Sequence, residues 1–81
     1  MSPASGAKLG VRWRVQCWRK SVVFQETSGP GFAVDGRATF ERLAKEYERT
    51  TDTNVEFQER PAGKRRYRPV EQAIGRERIT W

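Results

Sequence analysis

The feature that most restricts the fold is a strict alternation that begins at Leu9. Val11, Trp13, Val15 and Cys17 fall on one side of it, and Arg12, Arg14, Gln16 and Trp18 on the other. A period of two over this length fits a β-strand with one buried face, because successive strand side chains point in opposite directions. A helix would scatter the same residues around its circumference. Arg19, Lys20 and Ser21 can make a tight connection, and residues 22–27 then read as a second strand paired antiparallel with the first.

Ser28-Gly29-Pro30-Gly31 marks a break, and Phe32 and Val34 are expected to tuck beneath the helix that comes after it. Asp35 is a candidate N-cap, since its carboxylate can accept from the free N–H groups of a first helical turn. Phe40, Leu43, Ala44 and Tyr47 recur at i, i+3, i+4 and i+7, the apolar stripe of a helix. Glu41 with Lys45, and Arg42 with Glu46, support it along the exposed side. The pattern predicts a helix over 36–50, ending in the poor helix formers Thr50, Thr51, Asp52, Thr53 and Asn54. Residues 55–60 alternate again. Pro61-Ala62-Gly63 makes a turn, and residues 65–68 read as a short fourth strand around Tyr67. The tail has open readings: Pro69 can begin a short helix through Ile74 closed by Gly75, and residues 78–81 suit an edge strand or a frayed end.

These elements predict an α+β fold: a small antiparallel-rich sheet in the order β-β-α-β, with a possible extra strand and one helix packed on one face. The other sheet face is left open to solvent. Residues 1–8 read as a disordered lead-in and 9–81 as one small domain. The expected core is Val11, Trp13, Val15, Phe40, Leu43, Tyr47, Val55 and Phe57. With 81 residues, of which 36% are apolar, such a core is small and its stability marginal. Gathering three Trp, four Phe and two Tyr into periodic segments still argues for a folded chain rather than a disordered one.

Several chemistries are nearly excluded. The chain has no histidine, which removes the commonest general base, the Ser/His and Cys/His nucleophile pairs and imidazole metal sites. One cysteine makes neither a zinc site of ordinary composition nor an internal disulfide, so the cytoplasm is the default compartment. Cys17 continues the apolar face of the first strand and reads as a small buried hydrophobe, although Arg19 and Lys20 nearby keep a reactive thiol open. Gly29-Pro30-Gly31 lacks the Lys-Ser/Thr of a phosphate loop and reads as a turn. Glu56 and Glu59 lie near Arg60 on a strand that looks solvated, not as a paired acid and base. No apolar run reaches the length of a membrane span. The expectation is therefore a binding protein and not an enzyme, with no cofactor, no metal and no membrane partner.

The net charge of +6 is unevenly spread. Lys8, Arg12, Arg14, Arg19 and Lys20 stand without an acid in residues 1–20, as do Arg60, Lys64, Arg65, Arg66 and Arg68 in residues 60–68. Residues 35–52 are near neutral, so the helix is a poor candidate for insertion into a major groove. Arg outnumbers Lys twelve to four, and guanidinium planes suit bidentate contact with phosphate or carboxylate. Arg12, Arg14 and Trp18 on the open sheet face, with Lys64, Arg65, Arg66, Tyr67 and Arg68 in the basic hairpin, combine cations with rings. Such a surface either keeps the domain soluble, with Trp18 covered, or stacks unpaired bases while neutralising phosphates. The expected partner is nucleic acid, single-stranded in preference, bound weakly and without sequence preference. The alternative is an acidic host or viral protein, with Trp18, Tyr67 and Trp81 as anchors. Self-pairing of an edge strand into a homodimer stays open.

The Arg-rich strand pair, helix and further strand between Val11 and Phe57, in so short and basic a chain, resemble the small accessory proteins encoded by bacteriophages of actinobacteria. The resemblance implies a host-directed protein that acts by binding. It carries no functional residue onto this chain.

Overall fold

The computed structural model describes residues 10–30 and 33–81 of the chain. The expected lead-in at 1–8, and the expected packing of Phe32 and of the Val34 side chain, lie outside the described residues. The alternation and the apolar stripe produce an α+β fold: one open antiparallel sheet with a helix against one face. The elements are β1 (Arg12–Arg19), β2 (Val22–Pro30), α1 (Ala33–Glu46), β3 (Thr53–Arg60), β4 (Arg68–Ile74) and β5 (Glu77–Thr80). The strands lie side by side in the order β2-β1-β3-β4-β5.

β1, between β2 and β3, sets the register of both neighbours. Val15 pairs with Thr27 of β2 and with Phe57 of β3, and Cys17 with Gln25 and Val55, so the apolar sets of β1 and β3 share one face. Phe40, Leu43 and Ala44 of α1 cover that face and are buried with Trp13, Val15, Cys17, Val55, Phe57 and Ala73. The Phe40 and Phe57 rings stack with centroids 5.8 Å apart.

Two glycines set how closely the layers approach. A Cβ on Gly36 would lie 2.6 Å from the Phe57 ring and 2.7 Å from the Trp13 ring, and one on Gly29 would lie 2.9 Å from Trp13. Trp13 is thus held between the first turns of α1 and the end of β2. This is why β2 runs through the expected break at Ser28-Gly29-Pro30-Gly31 as far as Pro30: Gly29 pairs with Trp13 and leaves room for its indole.

Other differences from expectation have local causes. The β1–β2 connection turns on Lys20 and Ser21, with φ of 53° and 66°. Both residues adopt the left-handed conformation that two-residue hairpin turns need, without the Gly or Asn that usually advertises it. An extra residue at Phe24, between the Cys17↔Gln25 and Trp18↔Val23 pairs, sets Phe24 edge-on to Tyr47. The Tyr47 hydroxyl donates to Gln25 Oε1 at 2.9 Å. Tyr47, expected in the core, is only half-buried, because α1 ends at Glu46 and not at Thr50. Thr50 closes the helix end, its N–H and hydroxyl donating to the Tyr47 carbonyl at 3.0 and 2.8 Å. Asp35 lies inside the first turn instead of capping it, where its charge still suits the helix dipole. Val11 precedes β1 and is half-buried.

The fourth strand is not centred on Tyr67. It begins at Arg68 and takes in Pro69–Ile74, the residues that also suited a short helix. β3 offers an unpaired edge, and Val55↔Ala73 and Phe57↔Glu71 pairing satisfies it. Pro69 enters beside a bulge, where the register slips between Phe57 and Gln58. Gly75, with φ of 61°, then turns the chain into β5 instead of closing a helix.

Four charges tie α1 to this added hairpin. Arg78 of β5 donates to Glu41 Oε1 and to Glu71 Oε2, each at 2.8 Å, and Arg37 of α1 donates to Glu71 and to Glu41. The Arg37 and Arg78 guanidinium groups also lie 5.8 and 5.2 Å from the Phe40 ring centroid. The hydrogen bonds from Arg78 hold the Glu41 carboxyl below its usual range. Burial alone would raise Glu71, but hydrogen bonds from Arg37 and Arg78 outweigh it and lower it too.

Both the glycine seat and the charge network can be tested through stability. Gly36→Ala gains about 1 kcal/mol of helix propensity but forces a methyl group against two rings, an overpacking that costs about 1–3 kcal/mol. Its urea midpoint should fall; a rise would mean that α1 does not seat on Trp13. Both carboxyls titrate lower in the folded chain, so their contribution is complete above the ordinary carboxylate range and is lost as pH falls through the depressed values. Arg78→Gln should therefore flatten the decline of unfolding midpoint between neutral and acid pH, and an unchanged profile would remove the network from the acid response.

Candidate functional site

The residues of the sheet's other face form ordered rows, because antiparallel partners share a face. From one end to the other these rows are Pro30–Arg12–Arg60, Ser28–Arg14–Gln58–Pro69, Glu26–Gln16–Glu56–Gln72–Ile79 and Val23–Trp18–Asn54–Ile74–Glu77. Successive rows are about 6.6 Å apart, twice the rise per strand residue. The face is therefore polarised along the strands: arginine at one end, carboxylates and amides in the middle, and Trp18 with aliphatic side chains at the other end.

At the basic end, Arg14 lies over the Tyr67 ring at 4.0 Å from its centroid, and Arg60 lies 5.9 Å from the same ring. Arg14 Nε donates to Gln58 Oε1 at 2.7 Å. Gln58 donates to Gln16 Oε1 at 3.0 Å, and Gln16 to Glu26 Oε1 at 2.8 Å. This relay explains how Gln16 and Gln58 are 8% and 7% exposed on a face that no helix covers. It also fixes the direction of the Arg14 side chain. Arg60 reaches back to the Gly10 carbonyl at 3.1 Å. The seven-residue connection from β3 to β4 is thereby laid against this end through Tyr67, and its Lys64, Arg65 and Arg66 are exposed.

The structure brings together some of the residues singled out from the sequence and separates others. Arg12, Arg14, Tyr67 and the 64–66 loop share one end of the face. Trp18 is on the same face but about 20 Å from Arg12 along β1, six residues away, with the Glu26 and Glu56 row between. Arg68 pairs with Glu59, which is in register with Trp13, so Arg68 belongs to the helix-bearing side. It meets the Glu59 carboxylate at 3.4 Å. Arg60, absent from the expected set, belongs to the cluster. Its position opposite Arg12 was legible only from the register of β3 on β1.

The ion pairs sort the arginines further. Among the described residues, Arg19, Arg37, Arg68 and Arg78 meet carboxylates; Arg12, Arg14, Arg60, Lys64, Arg65 and Arg66 do not, and neither do Lys20, Arg42, Lys45, Arg49 and Arg76, which are spread over the turns and the helix. The basic end is positive because Arg12, Arg14 and Arg60 share two neighbouring rows there with no carboxylate among them. No group of metal-ligating side chains and no helix long and apolar enough to cross a membrane occurs among the described residues. No family model, no curated protein and no solved structure matches the chain.

Cys17 lies away from this surface. It is fully buried under α1, and burial together with the charge of Glu46 pushes its thiol up to about 11. A thiol reagent near neutral pH should label it slowly in the native chain and rapidly in urea. Fast native labelling would place it in an exposed, electropositive setting instead.

Proposed function

We propose that the chain is a non-catalytic binding protein for single-stranded nucleic acid, acting through the basic end of its open sheet face. The observation that carries this reading is a set of cations at one end of the open face, Arg14 and Arg60 against the Tyr67 ring, Arg12 opposite Arg60, and the exposed Lys64, Arg65 and Arg66 in the loop that leads into Tyr67, none with a carboxylate partner among the described residues. Closely spaced guanidinium groups neutralise phosphates along a strand. The Arg14–Tyr67 stack supplies flat surfaces on which an unpaired base can lie. Two properties favour a single strand over a duplex. The cluster sits on a sheet face and an adjoining loop, and α1 offers no basic face for a groove. Carboxylates at Glu26 and Glu56 limit the footprint to the first two rows and the loop, which suits a short, weakly held and sequence-tolerant segment. The resemblance to phage accessory proteins is compatible with this reading and with an acidic protein as the partner.

A titration of labelled single-stranded and duplex oligonucleotides at several salt concentrations tests the proposal. Log affinity for the single strand should fall linearly with log salt, by about 0.7 per neutralised phosphate. Arg65→Gln/Arg66→Gln should make that slope shallower, while Tyr67→Ala should weaken binding by about 1–3 kcal/mol with little change in slope. Trp18→Ala, beyond the carboxylate row, should leave affinity nearly unchanged. Binding no tighter than that of an unrelated cation of equal charge, or Trp18 dominating the affinity, would overturn the reading in favour of a protein partner.

A further inference from the structure

Burial separates the arginines of the basic end from the other cations of the chain. Among the described residues, Arg12, Arg14, Arg37 and Arg60 are partly buried, and every other Lys and Arg is exposed. Arg37 meets two carboxylates, Glu41 and Glu71. Arg12, Arg14 and Arg60 meet none among the described residues, and residues 1–9 and 31–32 contain no acid. Withdrawing charge from water without a counter-charge is costly, and setting Arg12 directly opposite Arg60 adds repulsion. The contacts that hold these side chains leave the charge uncompensated. Arg14 Nε donates to the neutral Gln58 amide, Arg60 Nη2 donates to the Gly10 carbonyl, and both guanidinium groups lie against the Tyr67 ring. The Arg60 Nε is buried without a partner. Glu59, beside Arg60 in sequence, is on the other face and meets Arg68. Glu26 and Glu56 share a row one step beyond Arg14 and two beyond Arg12 and Arg60, and Glu26 accepts from Gln16.

Resting on the reading of this end as a single-strand site, we propose that Arg12, Arg14 and Arg60 take a terminal phosphate, so that the strand is held by its phosphorylated end. A phosphodiester within a strand carries one negative charge. A phosphomonoester at the end of a strand carries about −1.5 to −2 near pH 7 and presents three acceptor oxygens. Three neighbouring guanidinium groups without a counter-charge match the monoester in charge and in donors. Tyr67 then stands beside the terminal nucleotide, and the exposed Lys64, Arg65 and Arg66 follow the next phosphates. The same chemistry is offered by a 5′ and by a 3′ phosphate.

Affinities of the full chain for one short single-stranded sequence, labelled on an internal base, test the site. The strand is prepared with a 5′ phosphate, with a 3′ phosphate, with hydroxyls at both ends, and as a circle. One of the phosphorylated forms should bind about tenfold or more tightly than the hydroxyl-ended and circular forms, the factor that one added charge-assisted hydrogen bond supplies. That ratio should shrink between about pH 7 and pH 5.5, as the monoester loses its second charge. The groups facing it are Arg12, Arg14, Arg60 and Tyr67, with Glu26 and Glu56 beyond them, and the chain has no histidine to titrate in that window. Arg12→Gln/Arg60→Gln should bring the ratio close to one, whereas Arg65→Gln/Arg66→Gln should weaken all four forms alike and preserve it. Arg12→Gln alone, which leaves the Gly10 contact of Arg60 in place, should lower the ratio without lowering the urea midpoint. Equal binding of all four forms, or a ratio indifferent to pH, would overturn the terminal-phosphate site and leave single-strand binding standing. Binding of none would overturn both. A phosphoserine peptide bound more tightly than any of the strands would overturn it in favour of a modified protein.

Discussion

The seat of Trp13 is the constraint on which the rest of the structure depends. The indole lies between two backbone positions that have no Cβ, Gly29 on the edge strand and Gly36 in the first half of the helix. The absence of Cβ at both positions lets β2 and α1 close on a ring much larger than Val15 and Cys17 beside it on the same face. That approach sets the height of the helix over the sheet and keeps β2 in register past Thr27. It also brings Phe40 and Leu43 down onto Val55 and Phe57. In so small a domain a core of nine residues, counted among the described ones, has little redundancy, so one poorly seated aromatic would unsettle all of it. The buried indole N–H of Trp13, which has no partner, is a cost of the same arrangement.

A second consequence concerns where the charge goes. A sheet with one helix on one face must extend β4 and β5 beyond the helix's cover, and apolar side chains there would meet water. The chain instead uses Arg37, Arg78, Glu41 and Glu71 to join the helix to the outer hairpin, with both guanidinium groups lying against core aromatics. These arginines are stems and caps for the core, and their charges are neutralised locally. The uncovered face has a different logic. Its middle is tied down by the Arg14–Gln58–Gln16–Glu26 relay, with arginines at one end and Trp18 among aliphatic side chains at the other. A net charge spread over the whole surface would support only a general attraction to polyanions. A face divided along its strands can distinguish one end of a partner from the other.

Much of this was legible in the chain itself. The alternation of β1, the stripe Phe40-Leu43-Ala44-Tyr47 and the alternation of β3 determined an α+β fold with one covered and one open sheet face. Among the described residues, every buried core residue except Ala73 lies on one of those three patterns, since period and face together say which side chains are withheld from water. The tail was legible only in part: residues 78–81 suited an edge strand, and β5 at Glu77–Thr80 is one. Pro69 and Gly75 suit the ends of a helix as well as an edge strand and a hairpin turn, and only the free edge of β3 made pairing the better use of those backbone groups. Lys20-Ser21 gave no sign of a left-handed turn, because neither residue favours that conformation locally. The two flanking strands impose it.

The surface shows the same division. Sequence alone determined that two segments are basic, that histidine chemistry is absent, and that Arg12, Arg14 and Trp18 share a face. It did not determine which arginines are free of carboxylates or which residues stand beside one another, because those depend on contacts between strands far apart in the chain. Only the register of β3 on β1 placed Arg60 opposite Arg12 and Glu56 beside Gln16, and only the bulge in β4 turned Arg68 to the other side while Tyr67 folded under Arg14. The composition of the surface is local and was written in the chain. Its pattern comes from long-range pairing, which the tertiary structure alone decides.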